Sequence, residues 1–278
     1  MILGAHVRRR HTGIEGAIEE ARLRDADCVQ VFVSNPRAWA APRYDEAAVE
    51  RFRTALAASG LEPCVAHLSY IGNVAAWNPE VLRRTRELLV GTVRACDALG
   101  VRFVVVHTGA GGPQGRDAAL RAAAESYRIA VEAADEVRVA AEPMAGTSGA
   151  VASLPSEAEE LYAVVGDDRL GLVVDTCHAF AAGVPLDEPE GVAGFAEELR
   201  GRGLASRLAL VHANDSAFGR GERRDRHTNI RDGWIGEAGW RALATDPFLS
   251  CVPWILETPG SAERQREDIA YLRALGGG

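Results

Sequence analysis

The sequence has no lysine. All 31 of its basic residues are arginine. So complete a replacement points to a genome-wide coding bias, and it leaves only the planar, fork-shaped side chain best suited to phosphate. There is no CxxC pair. The five cysteines, Cys28, Cys64, Cys96, Cys177 and Cys251, are odd in number and widely spaced, which argues against a disulfide framework and a thiolate zinc site. Most lie in apolar patterns, where a free cysteine is a small buried residue. No apolar run approaches the ~20 residues needed to cross a bilayer, so no membrane partner is expected. The first residues, MILGAHVRRR, put basic residues after a very short apolar run. That is the wrong order for a signal peptide, so a cytoplasmic location is expected. No repeat, low-complexity tract or linker divides the chain, and residues 1–278 are expected to form one domain. Positive charge is also short. The net charge of -8 by itself argues against a nucleic-acid partner, although formal charge leaves out any bound metal.

What is present is an ordinary globular composition, 47% hydrophobic and 25% charged, and a recurring unit. Short apolar, β-branched runs occur at residues 2–7, 28–33, 64–68, 102–107, 137–142, 170–175, 208–213 and 253–257. Each is followed by a longer stretch of helical apolar spacing, such as IEGAIEEARLR, PEVLRRTRELLVGTVRACDAL and RDAALRAAAESYRIAVEAA. Strands apolar on both faces and alternating with helices indicate a parallel sheet. Eight such units in this length predict an α/β fold, a single (β/α)8 TIM barrel with its site at the C-terminal ends of the strands. A doubly wound sheet would carry a glycine-rich phosphate turn after the first strand, and RRRHTG is not one.

Read in order, the strand ends are His6, then SNPR, then His67, His107, Glu142, Asp175, His212 and Glu257. His178 and His227 fall in loops on the same face. Taken one at a time, a strand-end histidine is a hydrogen-bonded structural residue and a strand-end aspartate caps the next helix. Taken together, their concentration on one ring points to metal. A histidine–carboxylate set without thiolates suits zinc or manganese, and its size exceeds the three or four ligands of one zinc, which points to a multinuclear site. Asp225 and His227 are two apart, on the same side of an extended segment. Asp175 and His178 are three apart across a strand-to-helix turn and need not meet one atom.

The chain resembles the endonuclease IV family, zinc-dependent AP endonucleases that act on abasic sites in DNA. The likeness runs essentially from end to end. It is carried by GLVVDTCHAFAAG, with GAHV, NPRAW, HLSYIGN, VHTGAG, HAND, DRH and ILET, and by the interval from His212 to Asp225. The resemblance implies a trinuclear zinc site, with Mn2+ admissible at one position. His67, His107 and Glu142 would hold the first ion. Glu142 would bridge to a second, held also by Asp175, His212 and Glu257. His178, Asp225 and His227 would hold the third. Glu142 and Glu257 are the implied catalytic carboxylates, and Arg37 and Tyr70 the residues implied to enter the duplex and hold the nucleotide flipped out. The implied reaction is hydrolysis 5′ to an abasic site in duplex DNA, leaving a 3′-hydroxyl and a 5′-deoxyribose phosphate. The implied protein is a monomer with an open DNA face. Three zinc ions would cancel most of the negative net charge and focus positive charge at the barrel mouth.

The chain departs from the family pattern at Ala217, where a lysine is expected, at Pro143, at Arg231 and Asp232, at Leu68 and Gly72, and in RRRHTG. All are expected on the DNA-facing rim, where they bear on substrate preference rather than on metal binding. Arg8, Arg9 and Arg10, and the segment GRGERRDR, are each readable as phosphate contacts or as solvated charge. Trp39 and Trp77 are readable as packing at the DNA rim, but core or edge packing is the more frequent case and is expected. Cys177 is expected to be buried packing, and His6 and His11 to lie beside or away from the ligands. The competing enzyme class is a sugar isomerase or epimerase on the related barrel, using one or two metals. The competing non-enzyme is a damage-binding protein that has lost its chemistry.

Overall fold

The computed structural model describes residues 1–8 and 13–277. Arg9, Arg10 and His11 lie outside the described residues. The elements in chain order are β1 (Leu3–His6), α1 (Gly16–Arg22), β2 (Cys28–Val31), α2 (Glu46–Ser59), β3 (Cys64–His67), α3 (Pro79–Leu99), β4 (Phe103–His107), α4 (Arg116–Ala133), β5 (Arg138–Glu142), α5 (Pro155–Val165), β6 (Gly171–Asp175), α6 (Thr176–Ala182), α7 (Pro189–Gly201), β7 (Leu208–His212), β8 (Asp215–Ser216), β9 (His227–Thr228), α8 (Gly236–Thr245), β10 (Trp254–Leu256) and α9 (Ala262–Gly276). Eight parallel strands close in the order β1-β10-β7-β6-β5-β4-β3-β2, and β8 and β9 form a separate antiparallel pair. Each of the eight apolar runs read from the sequence contains one barrel strand.

The helices begin and end where local chemistry requires. The Asn78 side chain accepts from the N–H groups of Glu80 and Val81 at 2.9 and 3.1 Å, and Pro79 follows it. These devices satisfy and pre-shape the first turn of α3. Gly100 ends the same helix at φ +73°, in the left-handed region that costs a Cβ-bearing residue energy.

The barrel interior explains where the polar ring comes from. Its packed layer includes Cys28, Val65, Val105, Ala140, Val173, Leu210 and Ile255. Two residues on along each strand stand Gln30, His67, His107, Glu142, Asp175, His212 and Glu257. Side chains two apart share a strand face, so one polar layer is stacked directly above one apolar layer. Pairing keeps the levels matched, with His107 opposite Glu142, Asp175 opposite His212 and His6 opposite Gln30. Gly4, in the β1 position below His6, has no side chain because a Cβ there would lie 2.2 Å from the Cys28 carbonyl oxygen. The outer core lies between barrel and helices. From it the Tyr127 hydroxyl donates to the carbonyls of Val106 and His107 at 2.8 and 3.1 Å, fixing the end of β4 to α4.

Candidate metal centre

Three groups of candidate ligand atoms lie at the C-terminal mouth, the first two sharing Glu142 and each with its atoms within 4.8 Å of one another: His67, His107 and Glu142; Glu142, Asp175, His212 and Glu257; and His178, Asp225 and His227. All nine residues singled out from the sequence fall in these groups. Glu142, fully buried at the end of β5, joins the first two. Its Oε2 is 3.2 Å from His67 Nε2 and 3.4 Å from His107 Nε2, and its Oε1 is 3.0 Å from His212 Nδ1. The groups grade from core to solvent. The Asp225 side chain is 46% exposed, whereas that of His178 is only 4% exposed.

Asp175 resolves its two readings by using both oxygens. Oδ1 accepts from the His178 N–H at 2.8 Å and caps α6. Oδ2 faces the cluster, 4.0 Å from His212 Nδ1 and 3.6 Å from His227 Nε2. Asp175 and His178 therefore fall in different groups, although they are separated by only two residues.

Neighbouring groups set which histidine nitrogen faces inward, the usual outer-shell device of metal sites. A carbonyl can only accept, so His67 Nδ1 carries a proton toward the Leu68 oxygen at 2.7 Å, and His178 Nδ1 toward the Pro143 oxygen at 3.1 Å. In both rings Nε2 is left for the cluster. His212 is reversed. Its Nε2–H donates to Gln30 Oε1 at 2.9 Å and Nδ1 points inward. Gln30 donates in turn from Nε2 to Glu257 Oε1 at 2.7 Å and to His6 Nδ1 at 2.9 Å. Asn214 donates to Asp175 Oδ2 at 2.7 Å and accepts from the Glu257 N–H at 2.8 Å. Gln30 and Asn214 were not singled out from the sequence. The signal for Gln30 was its place two residues beyond the interior Cys28.

Electrostatics match a site built for cations. Burial opposes charge on every histidine here. It lowers His107 to about 4, against the pull of Glu142. At His212, burial is outweighed by Glu257 and Glu142, and the imidazole is raised to about 9. Burial would raise the Glu142 carboxyl, but His212 and His107 hold it well below the usual range. His227 Nε2 is buried without a hydrogen-bond partner, 3.3 Å from Asp225 Oδ1. A nitrogen left so would be costly, and a cation held by it, Asp225 and His178 would satisfy it. The nitrogen–oxygen donor set suits zinc or manganese. Cys177 Sγ also comes within 4.8 Å of ligand atoms of Asp175 and His227. The Cys177 side chain is fully buried, and burial is the main cause that pushes its thiol pKa up, with Asp175 adding to it.

Arg37 is exposed in the loop after β2, where its N–H bonds Asn35 Oδ1. Tyr70, after β3, is 63% exposed, its ring edge-on to Phe32 at 5.0 Å and tilted to His67 at 5.8 Å. Trp39 packs against the core, whereas Trp77 is exposed over Gly112 rather than packed in. Two departures from the family pattern, Leu68 and Pro143, bear on the ligands after all. Each supplies only a backbone carbonyl, which their side chains do not alter. Arg231 and Asp232 turn away to α9. The Arg231 guanidinium lies 4.4 Å from the Tyr271 ring centroid, and Asp232 is 3.1 Å from Arg264. Arg231 has φ +77°, a conformation that favours glycine.

A family model described as a xylose isomerase-like TIM barrel matches residues 18–275. The protein named probable endonuclease 4 of Methanoculleus marisnigri is 35% identical, with 96% of this chain and 98% of that one covered. The crystal structure of endonuclease IV from Thermus thermophilus superposes with a TM-score of 0.87 at 32% identity, covering 99% of this chain and 98% of that chain. A D-tagatose 3-epimerase-like protein, at 19% identity and a TM-score of 0.75 over 100% of this chain and 98% of that one, shares the fold alone. The chain belongs to the endonuclease IV family, on the xylose isomerase-like TIM barrel.

Proposed function

We propose that the protein is a DNA-repair endonuclease that hydrolyses the phosphodiester 5′ to an abasic site in duplex DNA, leaving a 3′-hydroxyl and a 5′-deoxyribose phosphate. The observation that carries this reading is the sorting of nine side chains into three groups, two of them joined by Glu142. Three Zn2+ fit that sorting, one per group and two sharing Glu142, and Mn2+ suits the same donors at one position. Bound there, the ions would supply charge neutralisation at the phosphate and activation of the attacking water.

The chain's own residues do the rest. Glu142 ties the first two groups together through its two oxygens. Glu257 is held at both ends, its carboxylate by Gln30 and its N–H by Asn214. Arg37 and Tyr70 are assigned to the duplex, where an abasic nucleotide is cheaper to extrude because it has less stacking and no pairing to lose. An exposed ring backed by Phe32 suits that task. The protein acts as a monomer in the cytoplasm. The third group, with Asp225 and His227 on the β8–β9 segment, is surplus to the one or two metals of a sugar isomerase and weighs against that reading.

Metal analysis together with nicking of a duplex carrying one abasic site tests the proposal. About three zinc per chain with metal-dependent nicking is the expected result. A single metal, or no nicking at any loading, defeats it. Gln30→Leu keeps the volume and removes the amide that orients His212 and Glu257. It is expected to lower zinc affinity at the second group by roughly 10–100-fold, read by competition with a chromophoric chelator. An unchanged affinity would show that these ligands orient themselves.

A further inference from the structure

The segment between β8 and β9 carries Arg220, Arg223, Arg224 and Arg226 on its exposed side, and these four do not play one role. Arg220 is neutralised, 3.0 Å from Asp187 Oδ1 and 2.8 Å from Glu188 Oε1. Arg224 is different. Its guanidinium carbon lies 3.5 Å from the centroid of the Phe218 ring, and among the described residues no carboxylate pairs with it. Stacking on a phenyl face holds a guanidinium in one orientation and leaves its in-plane N–H donors free. The residue that follows is Asp225, a member of the third group.

The segment is also held still. The N–H groups of Gly221 and Arg223 donate to the carbonyls of Phe180 and Ala181 at 3.1 and 2.9 Å. These carbonyls belong to the last turn of α6, where carbonyls lack partners within the helix; that of Phe180 also accepts from the Gly183 N–H at 3.0 Å. Ser216 Oγ donates to the Phe218 carbonyl at 2.8 Å, and Glu222 accepts from the Gly219 N–H at 2.9 Å. With Glu222 turned inward on its own loop and Asp225 3.3–3.4 Å from His227 and His178, the outward face is left to the arginines.

We propose that Arg224, laid on Phe218, is a preformed clamp for one backbone phosphate of the DNA, and sets affinity for the duplex rather than the rate of bond cleavage. The inference rests on the endonuclease reading above. A guanidinium that already has its orientation loses little freedom on binding, and its fork matches two phosphate oxygens.

The test is the salt dependence of binding, measured with zinc-loaded protein and duplex containing one abasic site. Each phosphate neutralised contributes about 0.9 to the slope of log K against log salt concentration. Arg224→Ala is expected to reduce that slope by about 1, to raise KM several-fold and to leave kcat and zinc content unchanged. Phe218→Leu keeps the charge, so it should retain the slope while weakening binding. Arg220→Ala, which removes an arginine already paired with two carboxylates, should change neither slope nor KM. An Arg224→Ala slope equal to that of the wild type, with the wild type binding and nicking normally, overturns the clamp alone. A wild type with no salt-dependent binding to duplex overturns the clamp together with the reading on which it rests.

Discussion

Glu142→Gln is expected to lower nicking by at least about 10³-fold, roughly 4 kcal/mol of transition-state stabilisation, and to leave about one zinc of three. The substitution is nearly isosteric, so the effect isolates charge. Glu142 is fully buried and its oxygens lie 3.0–3.4 Å from nitrogens of His67, His107, His178 and His212. It is the only residue common to the first two groups. A neutral amide there cannot hold two divalent ions at once, and a buried unpaired charge is among the most costly defects a site can have. The third group does not include Glu142 and should keep its ion. Metal analysis of the purified variant and single-turnover nicking in excess zinc are the measurements. Full zinc content with wild-type nicking would remove Glu142 from its bridging role.

Much of this arrangement was legible in the sequence, and the reason is physical. A barrel strand is apolar on both faces, so it stands out as a short run, and its end is the place where polarity must resume. His67, His107, Glu142, Asp175, His212 and Glu257 were found on that ground alone, and the stretch PEVLRRTRELLVGTVRACDAL was read as helical from its apolar spacing. Less legible were residues whose role is set by partners far away in the chain. Gln30 is neither titratable nor a usual metal ligand, so a search for ligand types passed over it, and the end of β2 was read at SNPR instead. The alternation that places it above Cys28 becomes visible only once the interior face of β2 is known. Asp215 is a second case. It is fully buried and accepts from the N–H groups of Ser216, Arg231 and Ile235 and from Trp240 Nε1. It thereby anchors the loop that follows β9, but in the sequence it reads as one more acid in HAND. The β8–β9 pair is two residues long in each strand, too short to leave a periodic signal. The division of the nine candidate ligands into sets rested on resemblance; the distances place Asp175 and His178 in different groups.

His178→Ala is the substitution that separates a trinuclear centre from a dinuclear one. It is expected to lower zinc content by about one ion and nicking by roughly 10²–10³-fold, the several kcal/mol a bound metal contributes to transition-state charge. The side chain is buried, its Nδ1 is fixed by the Pro143 carbonyl at 3.1 Å, and its Nε2 is 3.4 Å from Asp225 Oδ2. The His178 N–H that bonds Asp175 Oδ1 is backbone, so alanine keeps the cap of α6 and the second group keeps its geometry. What remains of the third group is His227 and the half-exposed Asp225, two ligands where a zinc site needs three or four. The first two groups, six residues anchored on β3 to β7 and at the end of β10, do not depend on His178 and should stay loaded. The two variants thus divide the metal count in complementary ways, with about one ion left by Glu142→Gln and about two by His178→Ala. Unchanged zinc content in His178→Ala would refute its assignment to the third group. Loss of all three ions would show the groups to be one cooperative unit.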